Sequence, residues 1–437
     1  MRPQKPIILV MPALLIQELN KHLIEKPPEF KYEIIYFYYG VHYIISKQLI
    51  KKDNEYINMN IKNLQEITVS NISRYIKILK NGEFIKCDNI YIKGKKSLGY
   101  KINEKYLHGV EKIEINKECK FFDKLVNHKR KQRAHNNRNE PFLKDMRAFF
   151  MKINLNYAEA EKWAENNANK VKKYNYYTSL MQLQDKRFRY FKRNKTNNRL
   201  DTNFTNLKKE LRNFIKGDFV CIDLKNSQPF FFSQMIKTII DKQDNKPTGI
   251  YCCYLSIVNL IKIFGFKAIK SISKIHQNQK NSKMVNLKNY SNSVLNGTLY
   301  DDFINSYSEK ITRNQAKDIM LKVMFSRNVF YDKHKRFIPY KNDKENFSKV
   351  YPFVYEVIKI LKEKNHALLA ITLQKLESYI FIDCIAKELV NNNIIPLTIH
   401  DSVIVETKNQ KKAMQIIEKI FIKNFSIIPT FHIKKLK

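Results

Sequence analysis

IPLTIHDSVIV, residues 395–405, places apolar residues on both sides of a central His400-Asp401-Ser402, the pattern of a hairpin that bends at a carboxylate. Val220-Cys221-Ile222-Asp223 repeats the design as a short apolar run ending in an acid, which reads as a buried strand delivering one carboxylate to a sheet edge. A single Asp in a strand is more often an edge residue or a turn cap than a ligand. Two together invite a metal reading. Two Mg2+ ions, roughly 3.5–4 Å apart, need at least two shared carboxylates from different strands, and they clamp the attacking and leaving oxygens of an in-line phosphoryl displacement.

Between these runs lies ITRNQAKDIMLKVMFSRNVFY, Ile311 to Tyr331, with Thr312 as a candidate cap and no Gly or Pro, which predicts a helix. Arg313 and Lys317 are four apart and share one face, where two cations could hold a triphosphate, and Phe325 follows two turns beyond Lys317. Taken alone, the segment reads equally as a basic amphipathic surface helix.

The order of strand-Asp, Arg-x-x-x-Lys helix with an aromatic eight residues on, and His-Asp hairpin resembles motifs A, B and C of family A DNA polymerases and single-subunit phage RNA polymerases. The resemblance implies that Asp223 and Asp401 are catalytic and hold two Mg2+ ions, for which Mn2+ can substitute. It implies that Arg313 and Lys317 contact the incoming triphosphate, that Phe325 lies beside the nascent base pair and that His400 lies near the primer end. Arg199-Leu200 followed by Asn206-Leu207 is similar to the Arg-Leu…Asn-Leu segment that precedes motif A in bacterial DNA polymerase I and touches the primer-template duplex. Gln374, in ITLQKLESYIFIDCIAKEL, is similar to the minor-groove Gln of the same family. The resemblance covers about Arg199 to Glu406. Three departures stand out: Asp223 opens Asp-Leu-Lys-Asn-Ser-Gln-Pro, Ser326 replaces the Gly usual after the helix aromatic, and Ser402 stands where DNA polymerases carry Glu and phage RNA polymerases carry Ser. In the family the residue five after the first Asp lies against the 2′ position of the incoming sugar. Here that residue is Gln228, as long as the Glu of DNA polymerases, and dNTPs are the expected substrates.

Composition agrees with a nucleic-acid partner. Eighty Lys and Arg against 41 Asp and Glu leave a formal charge of +39, which repels itself unless a polyanion is present. The excess of Lys, Asn, Ile and Tyr suggests an AT-rich coding genome, so charge alone decides little. No apolar run approaches the roughly 20 residues of a spanning helix and Met1–Ile8 does not read as a signal peptide, so a cytoplasmic location with no membrane partner is expected. The six cysteines show no Cys-x-x-Cys and no zinc spacing.

In the front part, residues 31–50 read as a buried first helix, and Val69–Leu79 as a helix with Ser70 as N-cap, Ile72, Tyr75, Ile76 and Leu79 inward and Ser73, Arg74 and Lys77 outward. Two strands follow with a basic tip, Lys93-Gly94-Lys95-Lys96, between them. This resembles a winged helix-turn-helix whose Arg74, Lys77, Lys95 and Lys96 face DNA; an ordinary α+β packing module is the alternative.

These readings predict an α+β fold: a right-hand polymerase with thumb, antiparallel palm sheet and helical fingers, preceded by a small winged helix-turn-helix domain. The expected divisions are an N-terminal extension (1–27), the winged-helix domain (28–112), a basic linker (113–140) and a polymerase core (141–437). Within the core the thumb takes about 141–215, the palm about 216–305 and 345–437, and the fingers about 306–344. The expected activity is addition of dNTPs to a primer on DNA, with an RNA template left open, and no proofreading, since the only early Asp-x-Glu is Asp53-Asn54-Glu55 in a polar stretch. Compactness and a private DNA-binding domain suggest, by analogy, a plasmid, phage or other mobile element. The rivals are a single-subunit RNA polymerase and a non-catalytic replication initiator on a polymerase scaffold.

Overall fold

The computed structural model describes residues 5–48, 56–94, 96–134, 140–243, 249–277, 282–307, 310–332 and 335–436. Asp53-Asn54-Glu55 and Lys95 lie outside the described residues. Helices and antiparallel sheets are mixed along the chain.

The strand Phe219–Leu224 is the centre of a four-stranded sheet. It pairs with Ser402–Glu406 on one side and Phe431–Leu436 on the other, and Leu397–Ile399 lies outside Ser402–Glu406. Successive side chains of a strand point to opposite faces, and here each face has its own cover. Val220, Ile222 and Leu224, with Val403 and Val405, enter a core built with the helices Ser227–Gln243 and Gln410–Phe425. Phe219 and Cys221 face a second core with Ile404, Leu397 and Leu436. Asp223 continues the Phe219-Cys221 row and lies only partly buried, at the end of that row.

The front of the chain differs from its expected division. Residues 1–27 are not a bare extension: Ile7–Met11 pairs with Glu111–Ile115 and Ala13–Glu25 is a helix, so the helix expected at 31–50 is the second, spanning Ile34–Gln48. Most of the expected linker is helix, Lys120–Ala134, because Phe121 and Phe122 are fully buried and anchor its start. Ile61–Ile67 and Ile72–Asn81 stand beside a three-stranded sheet of Ile57–Asn58, Gly99–Ile102 and Ile85–Cys87. Asn71, not Ser70, takes the N-cap position of Ile72–Asn81, and its side chain makes no capping bond. One packed cluster runs from Ile7 through Tyr75, Phe122 and Tyr177 to Leu436, so the front part shares its core with later segments.

The helix carrying Arg313 and Lys317 spans Arg313–Phe325 with Thr312 as its N-cap, as its sequence predicts, and Gln315 completes a capping box there. It ends six residues before the expected Tyr331. Two buried lysines from distant segments take carbonyls in its last turn and just beyond it: Lys362 Nζ donates to Val323 O (2.6 Å) and Ser326 O (2.8 Å), and Lys344 Nζ donates to Arg327 O (2.5 Å). The chain then turns into the hairpin Phe330–Asp332/Lys335–Phe337.

Burial, then repulsion from Lys344, pushes the Lys362 ammonium down to about 7, and a neutral amine still has two N–H groups for its two carbonyls. The folded value lies below the ordinary 10.5, so the unfolded chain binds more protons across that window and this group's contribution to stability grows as pH rises from about 7 toward 10.5. The difference in unfolding free energy between wild type and Lys362→Met should therefore widen from pH 7.5 to 9.5. Denaturant titrations that show a constant or narrowing gap contradict a neutral Lys362.

Candidate active site

Ile399 pairs with Ser402, which leaves His400-Asp401 as a two-residue hairpin loop, and His400 takes a left-handed φ of 53°. Such tight loops require positive φ and match the twist of the flanking strands. In the next register, Ser402 stands opposite Asp223, and the Leu224 N–H donates to Asp401 O at 3.1 Å. Asp223 and Asp401 are thus neighbours at the same end of adjacent strands, although 178 positions separate them in the chain.

Both carboxylates are driven toward protonation by burial. Asp223 is pushed up to about 7 by burial and then by repulsion from Asp401, against attraction from Lys209 and Lys317. Asp401 is likewise raised, chiefly by burial, while its own backbone N–H, Arg199, Lys317 and the Ser227 hydroxyl favour the anion. The exposed Lys317 ammonium therefore acts on both acids. Arg313 is fixed only loosely, by an exposed contact to Asp301 (3.4 Å) and by stacking on Tyr300 at 5.3 Å. Tyr300 feels both Arg313 and Asp401, and burial lifts its phenol to about 12.

A third acid, Glu377, lies on the helix His366–Ser378 and is 1% exposed. Its Oε1 accepts from Arg199 Nε (2.9 Å) and Nη2 (2.6 Å), while Oε2 accepts from Ser227 Oγ (3.1 Å) and from Gln228 Nε2. Burial and the nearby Asp401 raise Glu377 to about 7 and Arg199 opposes them. One carboxylate thus fixes Arg199, Ser227 and Gln228. Gln228 Oε1 and Asn226 Nδ2 remain buried without hydrogen-bond partners, which leaves an acceptor and a donor for a bound molecule.

Of the residues singled out from the sequence, Asp223, Asp401, Lys317, Arg199 and Gln228 are brought together, with Arg313 reached through Tyr300. His400 is exposed in the loop. Gln374 accepts from Asn197 Nδ2 at 3.0 Å, and Asn206 donates to the Tyr190 hydroxyl. Phe325 is half-buried against the core that contains Val220, Ile222 and Leu224. Ser402 Oγ donates to Ile399 O (2.8 Å) and is spent on closing the loop. In the front part, Arg74 stacks on Phe30 (5.8 Å), Lys77 is exposed and Lys96 pairs with Asp88 (2.6 Å). Glu377 and Tyr300 were not predicted. In the sequence Glu377 is one of several polar residues, with Gln374, Lys375 and Ser378, on its helix, and nothing local singles it out.

Among the described residues, no group of three or more His, Cys, Asp or Glu is arranged to hold a metal. Asp223 and Asp401 are a pair of hard oxygen donors whose mutual repulsion a divalent cation would relieve, and Mg2+ is commonly held by one or two carboxylates plus substrate phosphates. The donor set fits that ion. Among the described residues, no helix is long and apolar enough to cross a membrane.

No protein-family model matches the chain. No curated protein matches it either. Among solved structures, it is similar to the POL domain of Pol1 from M. smegmatis in complex with DNA primer-template and dNTP, at 11% identity and a TM-score of 0.26. The match covers 64% of this chain and 55% of that one, and at such a score the likeness defines neither fold nor function.

Proposed function

We propose that the chain is a template-directed DNA polymerase of the family A kind, which adds dNTPs to a primer 3′ end without proofreading and serves a plasmid, phage or other mobile element. The four-stranded sheet is read as its palm, the helices around Arg313–Phe325 as its fingers and residues 141–215 as its thumb. One observation carries the reading: strand pairing sets Asp223 beside Asp401, with the Lys317 ammonium acting on both.

Asp223 and Asp401 would hold two Mg2+ ions, which when bound lower the pKa of the primer hydroxyl and neutralise the triphosphate. Lys317 brings positive charge to where a triphosphate must approach the two acids. Arg313 is free to leave its exposed pairing with Asp301, since such pairs are worth at most about 1 kcal/mol, and to meet phosphate instead. These two cations stabilise charge on the departing pyrophosphate. Arg199, whose Nε and Nη2 both donate to Glu377 Oε1, has a fixed orientation and is assigned with Asn206 to the primer-template duplex, and Gln374 to its minor groove, as in the resemblance. Gln228, tethered by the same Glu377, is the gate against a 2′-hydroxyl.

The test is primer extension with dNTPs or NTPs on DNA and RNA templates. Extension with dNTPs supports the reading, and absence of incorporation on every primed template overturns it. An RNA polymerase would instead start de novo from NTPs. The buried, locally bonded Ser402 hydroxyl weakens that alternative, since it is not available to a substrate.

The front helix Ile72–Asn81 exposes Arg74 and Lys77 beside the strands of its sheet, and we read it as a duplex-binding element of winged-helix type. Arg74→Ala with Lys77→Ala should weaken duplex binding uniformly across sequences and reduce the salt slope by about 2, one for each lost phosphate contact. An unchanged slope assigns this helix to packing instead.

A further inference from the structure

The hairpin that follows the Arg313–Phe325 helix carries an aromatic surface that stands exposed among the described residues. Tyr331 is 72% exposed, Tyr340 52% and Phe337 47%, and Phe330 lies partly open beside them. None of these rings joins any of the three hydrophobic clusters. The register explains their layout. Phe330 stands opposite Phe337, so their rings meet on one face at 5.2 Å, while Tyr331 stands opposite Arg336 on the other face. Cations are interleaved with the rings: the Arg327 guanidinium lies over Phe330 at 5.5 Å, Lys322 lies over Tyr340 at 5.2 Å, and Arg336 and Lys341 are exposed.

We propose that this hairpin, with Tyr340, is a stacking platform for the bases of single-stranded nucleic acid. Unpaired bases offer flat π faces to rings and guanidinium planes, and the phosphates between them meet Arg327, Arg336 and Lys341. Duplex hides those faces in its own stack, so the platform discriminates against it. Both deoxyribose and ribose strands present the same chemistry. The helix ends about 12 Å along its axis beyond Lys317, counting the eight residues to Phe325 at 1.5 Å each, and the hairpin begins five residues later at Phe330. Resting on the polymerase reading for this one point, the strand it holds is the unpaired template ahead of the site.

The experiment measures fluorescence-anisotropy binding of oligo(dT), oligo(U) and a blunt DNA duplex, without nucleotide or divalent metal. The protein is the full chain as wild type, Tyr331→Ala/Phe337→Ala and Arg327→Ala/Arg336→Ala. All the substituted hairpin residues are exposed, so unchanged thermal unfolding is expected. The aromatic variant should bind both single strands about 10- to 100-fold more weakly, as expected for one or two lost stacking contacts, and bind duplex as wild type does. A 2-aminopurine placed in the strand should be quenched by wild type and not by this variant. Single-strand affinity unchanged, or lost equally with duplex affinity, overturns the platform. If extension fails on every template while ring-dependent single-strand binding persists, the polymerase reading falls and the platform stands.

Discussion

Gln228→Ala should relax the preference for dNTPs over NTPs by roughly 10- to 1,000-fold, because a side chain that excludes one hydroxyl is often worth a few kcal/mol. The argument begins with size: Gln is as long as Glu and fills the position that faces the 2′ carbon in the family this sequence resembles. The structure adds a reason for rigidity. Gln228 Nε2 is bonded to Glu377, itself held by Arg199 and Ser227, so the amide cannot swing aside without breaking a buried network. Paired kcat/KM values for dATP and ATP on one primer-template decide the matter. Equal use of both by wild type, or a ratio that Gln228→Ala leaves unmoved, removes the gate.

Much of the central geometry could be read before any coordinates. Val220-Cys221-Ile222-Asp223 and the 395–405 run are strands because their apolar residues alternate or cluster at strand length, and the sheet between two cores rewards that pattern. The N-cap at Thr312 is a local signal and was equally legible. What was missed depends on distance. The helix stops at Phe325 although no Gly or Pro marks the place, and carbonyls in its last turn and just beyond it are taken by Lys362 and Lys344 from later segments. Ile7–Met11 finds Glu111–Ile115 across about a hundred residues, so residues read as an extension are part of a sheet. Glu377 looks like one polar face of a helix until Arg199, 178 positions earlier, is placed against it.

Asp223→Asn and Asp401→Asn should each lower nucleotide addition by about 10^3-fold or more, since a metal-held transition state is worth several kcal/mol and each 1.36 kcal/mol is tenfold. Each substitution keeps the shape of the side chain but removes the negative charge that would hold the metal at this strand end. Binding of primed DNA should stay near the wild-type value, because many Lys and Arg contacts to phosphate dominate affinity. The decisive measurement is single-turnover addition of one dNTP to a primer-template by wild type, Asp223→Asn and Asp401→Asn, at saturating Mg2+ and with DNA affinity measured in parallel. Wild-type addition, lost in both variants while DNA binding persists, is the predicted result; addition by either variant at the wild-type rate contradicts the two-carboxylate site.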